Sequence, residues 1–167
     1  MFKPFLFISL FVFVSIAQST EYQSSEDFLQ QTFSGAIPKP KVLWLTKELK
    51  QTATKILKHK PGFMRTRYWQ SDKQSVWILE EIGKTKPISV AVVINEKKIM
   101  LIKVLAFRES RGWEVKHDFF TDQFKNNRLD SDLNLTQPID GISGATLSVR
   151  ALTKTAQLAL YFDSLIQ

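Results

Sequence analysis

The segment DGISGATLSVR, residues 140–150, crowds Ser143, Thr146 and Ser148 around Gly144 and Ala145, with Asp140 upstream and an apolar stripe of helical spacing downstream. With Ser143 as N-cap, Gly144, Ala145 and Thr146 form the first turn of a terminal helix, where backbone N–H groups have no internal partners. Those groups and the positive end of the helix dipole favour a phosphate, and Gly144 lets one approach the backbone without a side chain in the way. Thr146 adds a hydroxyl that could hydrogen-bond the phosphate or be esterified to it. A plain helix cap accounts for the same letters, so the residues alone leave both readings open. SGAI at 34–37 repeats the first three letters but carries Ile37 in place of the hydroxyl, followed by Pro38.

Other candidate chemistry fails on spacing. IGKT at 82–85 resembles the end of a P-loop, but Ile78 stands where that motif needs glycine, so a turn after a strand is expected. GISGA has Ala145 at the fifth position of a nucleophile elbow, and no histidine follows Ser143. His59 and His117 lie far apart and there is no cysteine, which excludes disulfides, thiolate zinc sites and iron–sulfur clusters; no metal site is expected. Arg65, Arg67, Tyr68 and Trp69 interleave charge with aromatics as single-strand binders do. A solvated strand face explains them equally, and export argues against nucleic acid.

Export is read from the first nineteen residues. Lys3 precedes an apolar run from Phe5 to Ile16, then Ala17-Gln18-Ser19 offers small residues for cleavage after Ser19. The run is short of the ~20 residues of a spanning helix, so a signal peptide at 1–19 is expected, with an uncleaved amino-terminal anchor as the alternative. Its removal lowers the formal charge of +7 by one, leaving a basic chain suited to phosphate-bearing ligands or anionic head groups.

The elements that must position residues 140–150 follow from periodicity. Residues 20–40 read as a polar lead-in with a short helix in SSEDFLQQTF, stopped by Pro38 and Pro40. LWLTKELKQTATKILKH, with Leu45, Leu49, Ile56 and Leu57, reads as an amphipathic helix. FMRTRYWQ and SVWILEEI predict one hairpin, and ISVAVVI and KIMLIKVLAF a second whose apolar runs suit strands covered on both faces. HDFFTDQFKN predicts a short helix, RLDSDLNLTQPID a loop, and Leu147, Ala151, Leu158, Phe162 and Leu165 the stripe of a buried final helix. The fold class is α+β, a mainly antiparallel sheet of two hairpins flanked by helices and ending in a long C-terminal helix.

The pattern D-x-x-S-G-A-T, matched by Asp140, Ser143, Gly144, Ala145 and Thr146, resembles the flavinylation motif of FMN-binding domains, such as those of sodium-translocating NADH:quinone reductase and Rnf complexes. Upstream, KVLAFRES, RGWEV and DFFTDQF are similar to that family's strand, glutamate-bearing loop and phenylalanine-rich segment, and the whole mature chain resembles short exported single-domain members. The resemblance implies an FMN-binding domain over 41–167, with FMN joined through its phosphate to Thr146 by a flavin transferase that takes FAD as donor. It also implies contacts from Glu109, Gly112 and Trp113. Glu109-Ser110-Arg111-Gly112 departs from the family's Glu-Thr-Pro-Gly, which leaves Arg111 facing ring, phosphate or solvent, and Trp113 on the flavin or in the core.

The implied function is an exported, periplasmic electron carrier between membrane redox proteins or quinone. Two alternatives stand beside it: a flavin-dependent reductase of a quinone or metal chelate, and a non-redox basic binding module.

Overall fold

The computed structural model describes residues 20–72 and 74–166; the expected signal peptide, residues 1–19, lies outside the described residues. Strands β3 (Arg65–Ser71), β4 (Gln74–Ile82), β5 (Pro87–Asn95) and β6 (Lys98–Phe107) form an antiparallel meander. Two short strands extend it, β1 (Thr20–Glu21) on β6 and β2 (Lys41–Trp44) on β3, giving the order β1-β6-β5-β4-β3-β2. The two expected hairpins are thus one continuous sheet. β5 lies inside it and is covered on both faces, which is why ISVAVVI is apolar without alternation.

One face carries the main core. Helix α4 (Thr146–Asp163) lies across β4, β5 and β6 and packs on α2 (Lys47–Leu57), burying Ala151, Leu152, Ala156, Leu158, Ala159 and Phe162. Leu147 and Leu165, expected on that stripe, are exposed at 39% and 43%, because α4 starts only at Thr146 and Leu165 lies beyond its last turn. At the centre, fully buried Trp77 stacks on Tyr68 at 4.7 Å and meets Phe162 at 5.7 Å. Its indole N–H donates to Ser75 Oγ (3.0 Å), which donates to buried Asp163 Oδ1 (2.5 Å), so the ring is dry and its polar end satisfied. Burying Phe162 alone contributes roughly 1.5–3 kcal/mol.

The other face is covered by α1 (Ser25–Thr32), whose Phe28 and Leu29 pack with Val76, Ala91, Val93 and Leu105. Ser24 caps α1 through Asp27 N–H (3.1 Å), and the helix ends at Thr32, before the left-handed Ser34 and Gly35 rather than at the prolines. The helix expected from Leu43 begins at Lys47, where Thr46 accepts from Leu49 N–H (3.3 Å). Leu43 and Trp44 are instead in β2, paired with Thr66 and Arg65; a cap at Thr46 stops the helical period before it reaches them. The expected helix in HDFFTDQFKN is one turn, α3 (Asp118–Thr121), between 3-10 turns at Trp113–Lys116 and Asp122–Phe124.

One polar cluster ties three elements under the main face. Buried Glu81 on β4 meets His59 Nε2 at 2.9 Å, just past α2, and Lys154 Nζ of α4 at 3.4 Å. The hydrogen bond to Glu81, then one to the Lys60 carbonyl, holds the His59 pKa above its ordinary 6.5. A raised folded-state pKa stabilises the fold fully below the unfolded-state value, and that stability is lost as pH rises through the folded-state value. Thermal unfolding midpoints should therefore fall as pH is raised from roughly 6 through the window just above 6.5. A pH series of melts checks this, and His59→Ala should flatten that step.

Candidate functional site

The start of α4 differs from the expected one. Ser143 is exposed and makes no cap; Ala145 occupies the N-cap position without a side-chain hydrogen bond, and the helix begins at Thr146. The shift follows from Gly144, whose φ of +81° breaks the chain out of helical geometry, with Ala145 N–H donating to the Ile142 carbonyl (3.0 Å). The N–H groups left without intrahelical partners are consequently those of Thr146, Leu147 and Ser148, two residues further along than the letters suggest. The lack of a cap leaves that turn open to an outside anion.

That turn lines a cavity of about 600 Å³ together with Gly144, Ala145, Lys84, Glu109, Ser110 and Arg111. The volume falls within the ~300–1,000 Å³ of small-molecule and cofactor sites. The Thr153 and Thr155 hydroxyls donate back to carbonyls four residues earlier, Val149 (2.9 Å) and Ala151 (2.9 Å). The Thr146 hydroxyl makes no hydrogen bond among the described residues, so it stays available at the cavity wall.

Lys84 on that lining belongs to the turn Gly83–Lys86 between β4 and β5, the segment that resembles a P-loop end in sequence. It is a turn, closed by Gly83 N–H donating to the Lys86 carbonyl (3.1 Å). Glu109, beyond the end of β6, reaches across: its Oε1 accepts from the N–H groups of Lys84 (2.5 Å), Thr85 (2.5 Å) and Lys86 (2.8 Å). Its Oε2 accepts from the Thr85 hydroxyl (3.3 Å). Burial pushes the Glu109 carboxyl up, but the donors from Lys86, Thr85 and Lys84 outweigh it and hold the group below the usual carboxylate range.

Gly112, at φ +86°, lies against α4: a Cβ there would collide with the Ser148 hydroxyl. Its role is close approach of the 109–112 loop to the α4 start. Trp113 is not in the core and does not line the cavity; it stands 46% exposed, edge-on to His117 at 5.4 Å, with Lys116 Nζ 5.2 Å from its ring centre. Asp140 is also exposed and outside the cavity lining, with its backbone N–H donating to Gln123 Oε1 (2.7 Å). The structure therefore gathers Glu109, Arg111, Gly144, Ala145 and Thr146 at one cavity, backs them with Gly112, and leaves Asp140, Ser143 and Trp113 outside its lining.

Two residues that sequence reasoning passed over matter here. Lys84 lines the same cavity as Thr146, and its only signal in the sequence is IGKT, which fails as a P-loop. Asn127 is fully buried: its Nδ2 donates to the Gln123 carbonyl (3.2 Å), and its Oδ1 accepts from Gln137 N–H (2.7 Å) and the Thr136 hydroxyl (3.3 Å). It pins both ends of the polar loop that delivers residues 140–145 to α4, and an asparagine in a polar loop carries no sequence signal of that.

Residues 83–161 match the family described as FMN-binding domain. The matched span opens at the Gly83 turn and closes within α4, so it contains every residue that lines the cavity. The match supports an FMN-binding domain and FMN as the ligand of a flavoprotein. No curated protein matches the chain.

Two glycines give a graded test of this geometry. Gly144→Ala has open space around its Cβ and should cost only the left-handed backbone term, about 1–2 kcal/mol. Gly112→Ala adds a collision with Ser148 to the same term and should cost roughly 2 kcal/mol or more. Denaturant melts of the two variants check the order.

Proposed function

We propose that this chain is an exported electron carrier that holds FMN through a phosphoester at Thr146. The observation that carries the reading is the uncommitted Thr146 hydroxyl on an uncapped helix turn, facing a cavity inside the span matched to FMN-binding domains. Thr146 Oγ1 replaces AMP on the FMN phosphorus of FAD, losing its proton, and the catalyst is a flavin transferase. The N–H groups of Thr146, Leu147 and Ser148 bind the phosphate oxygens, Gly144 gives them room, and Lys84 and Arg111 offset the remaining charge.

Bound there, FMN supplies the redox chemistry, and the protein supplies position, burial and charge. Membrane redox proteins or quinone serve as the electron partners. A carrier is favoured over a reductase by the cavity's residues: the one carboxylate among the described lining residues, Glu109, is engaged by the 84–86 turn and poorly placed to shuttle protons to a substrate. A phosphoester tether also keeps the cofactor from being lost outside the cytoplasm.

The test is intact mass and visible spectrum of the exported protein from a host with the flavin transferase, beside Thr146→Ala. An added mass of FMN less one water, with yellow colour that survives denaturation, is expected for the parent and neither for the variant. An unmodified, colourless parent would sink the proposal.

A further inference from the structure

Two places built to hold an oxyanion adjoin the cavity. One is the start of α4; the other is the turn at 83–86, where three successive N–H groups, those of Lys84, Thr85 and Lys86, converge on a single oxygen. Convergent backbone N–H groups of this kind make an anion cradle without any cationic side chain. The Thr85 hydroxyl adds a fourth donor, and residue 83 is a glycine whose missing Cβ would lie 3.1 Å from Glu109 Oε1 and 3.3 Å from Glu109 Cγ. The cradle is thus shaped around a carboxylate. The α4 start lines the cavity directly, and the cradle reaches it through Lys84 and Glu109, with Arg111 also on the lining.

We infer that Glu109 is the resident anion of a second oxyanion site, and that by filling the 84–86 cradle it confines an incoming phosphate to the α4 turn that bears Thr146. With both sites open, a single phosphate would divide between them, and only one carries the free hydroxyl at Thr146. With Glu109 in place, one cradle is satisfied within the chain, and its charge repels a second anion from that wall. Glu109 is therefore a positioning residue, not one that must touch the flavin ring. This rests on the proposed flavin reading only for the identity of the phosphate; the cradle itself is independent of it.

The experiment uses the full chain purified from a host without the flavin transferase, so that no flavin enters the outcome. Glu109→Ala is melted in sodium formate and in sodium chloride at matched ionic strength, beside the parent. Formate at about ten times its dissociation constant should raise the variant's midpoint by about 3–6 °C over chloride and leave the parent unmoved. In backbone amide spectra, inorganic phosphate should shift residues 146–148 of the parent, and both 146–148 and 84–86 of the variant. If Glu109→Ala does not fold in chloride, formate should restore its native spectrum.

A variant that gains no more from formate than from chloride, or that stays unfolded in both, overturns the inference. So does a parent whose residues 84–86 respond to phosphate as strongly as the variant's. Failure of the flavin reading would appear instead as an unmodified Thr146, with formate rescue intact.

Discussion

Everything at the site depends on α4 being held flat against the sheet while its first turn is left open. The hold comes from the main core: Phe162 against Trp77, and the small residues Ala151, Ala156 and Ala159 that let the helix approach β4 and β5 closely. A helix fixed along its length by dry packing cannot shift its N-terminus without opening that core. The uncapped N–H groups of Thr146, Leu147 and Ser148 are therefore presented at a set place, although nothing in their own turn restrains them.

The cavity's electrostatics follow from where its charges are already committed. Glu109 faces three N–H groups and a hydroxyl, which hold it ionised and keep it at the 84–86 wall. Lys84, Arg111 and the positive end of α4 are left to set the sign of the remaining surface. The charge around Thr146 is thus a property of the assembled rim, shared between a turn, a loop and a helix end that lie far apart in sequence. The loop after α3 completes that rim through a single buried side chain, Asn127, whose hydrogen bonds offset the cost of burying an amide.

The two hairpins were legible because they are local and carry strong apolar runs, and the long final helix because of its stripe; that the hairpins join into one sheet extended by β1 and β2 was not. What sequence reasoning got wrong lies at boundaries. Leu43 and Trp44 fit a helical stripe and a strand equally well, and pairing with β3 decided between them. Ser143 satisfied every local rule for an N-cap, yet Gly144 took a left-handed conformation and moved the helix start to Thr146. Trp113 could be assigned to core or ligand by type alone; the structure puts it at the surface beside His117.

By itself the sequence determined the α+β class, the absence of thiol chemistry and the cluster of small and hydroxyl residues at 143–146, all of which are matters of composition and near-neighbour spacing. Only the tertiary structure decided that Thr146 and Ser148, and not Ser143, line a cavity, that Glu109 spends its carboxylate on the 84–86 turn, and that Gly112 is a contact with Ser148. The physical reason is range. Periodicity and capping act over one or two turns of chain, whereas the cavity joins residue 84 to residue 146 through sheet pairing and helix packing that no local pattern encodes.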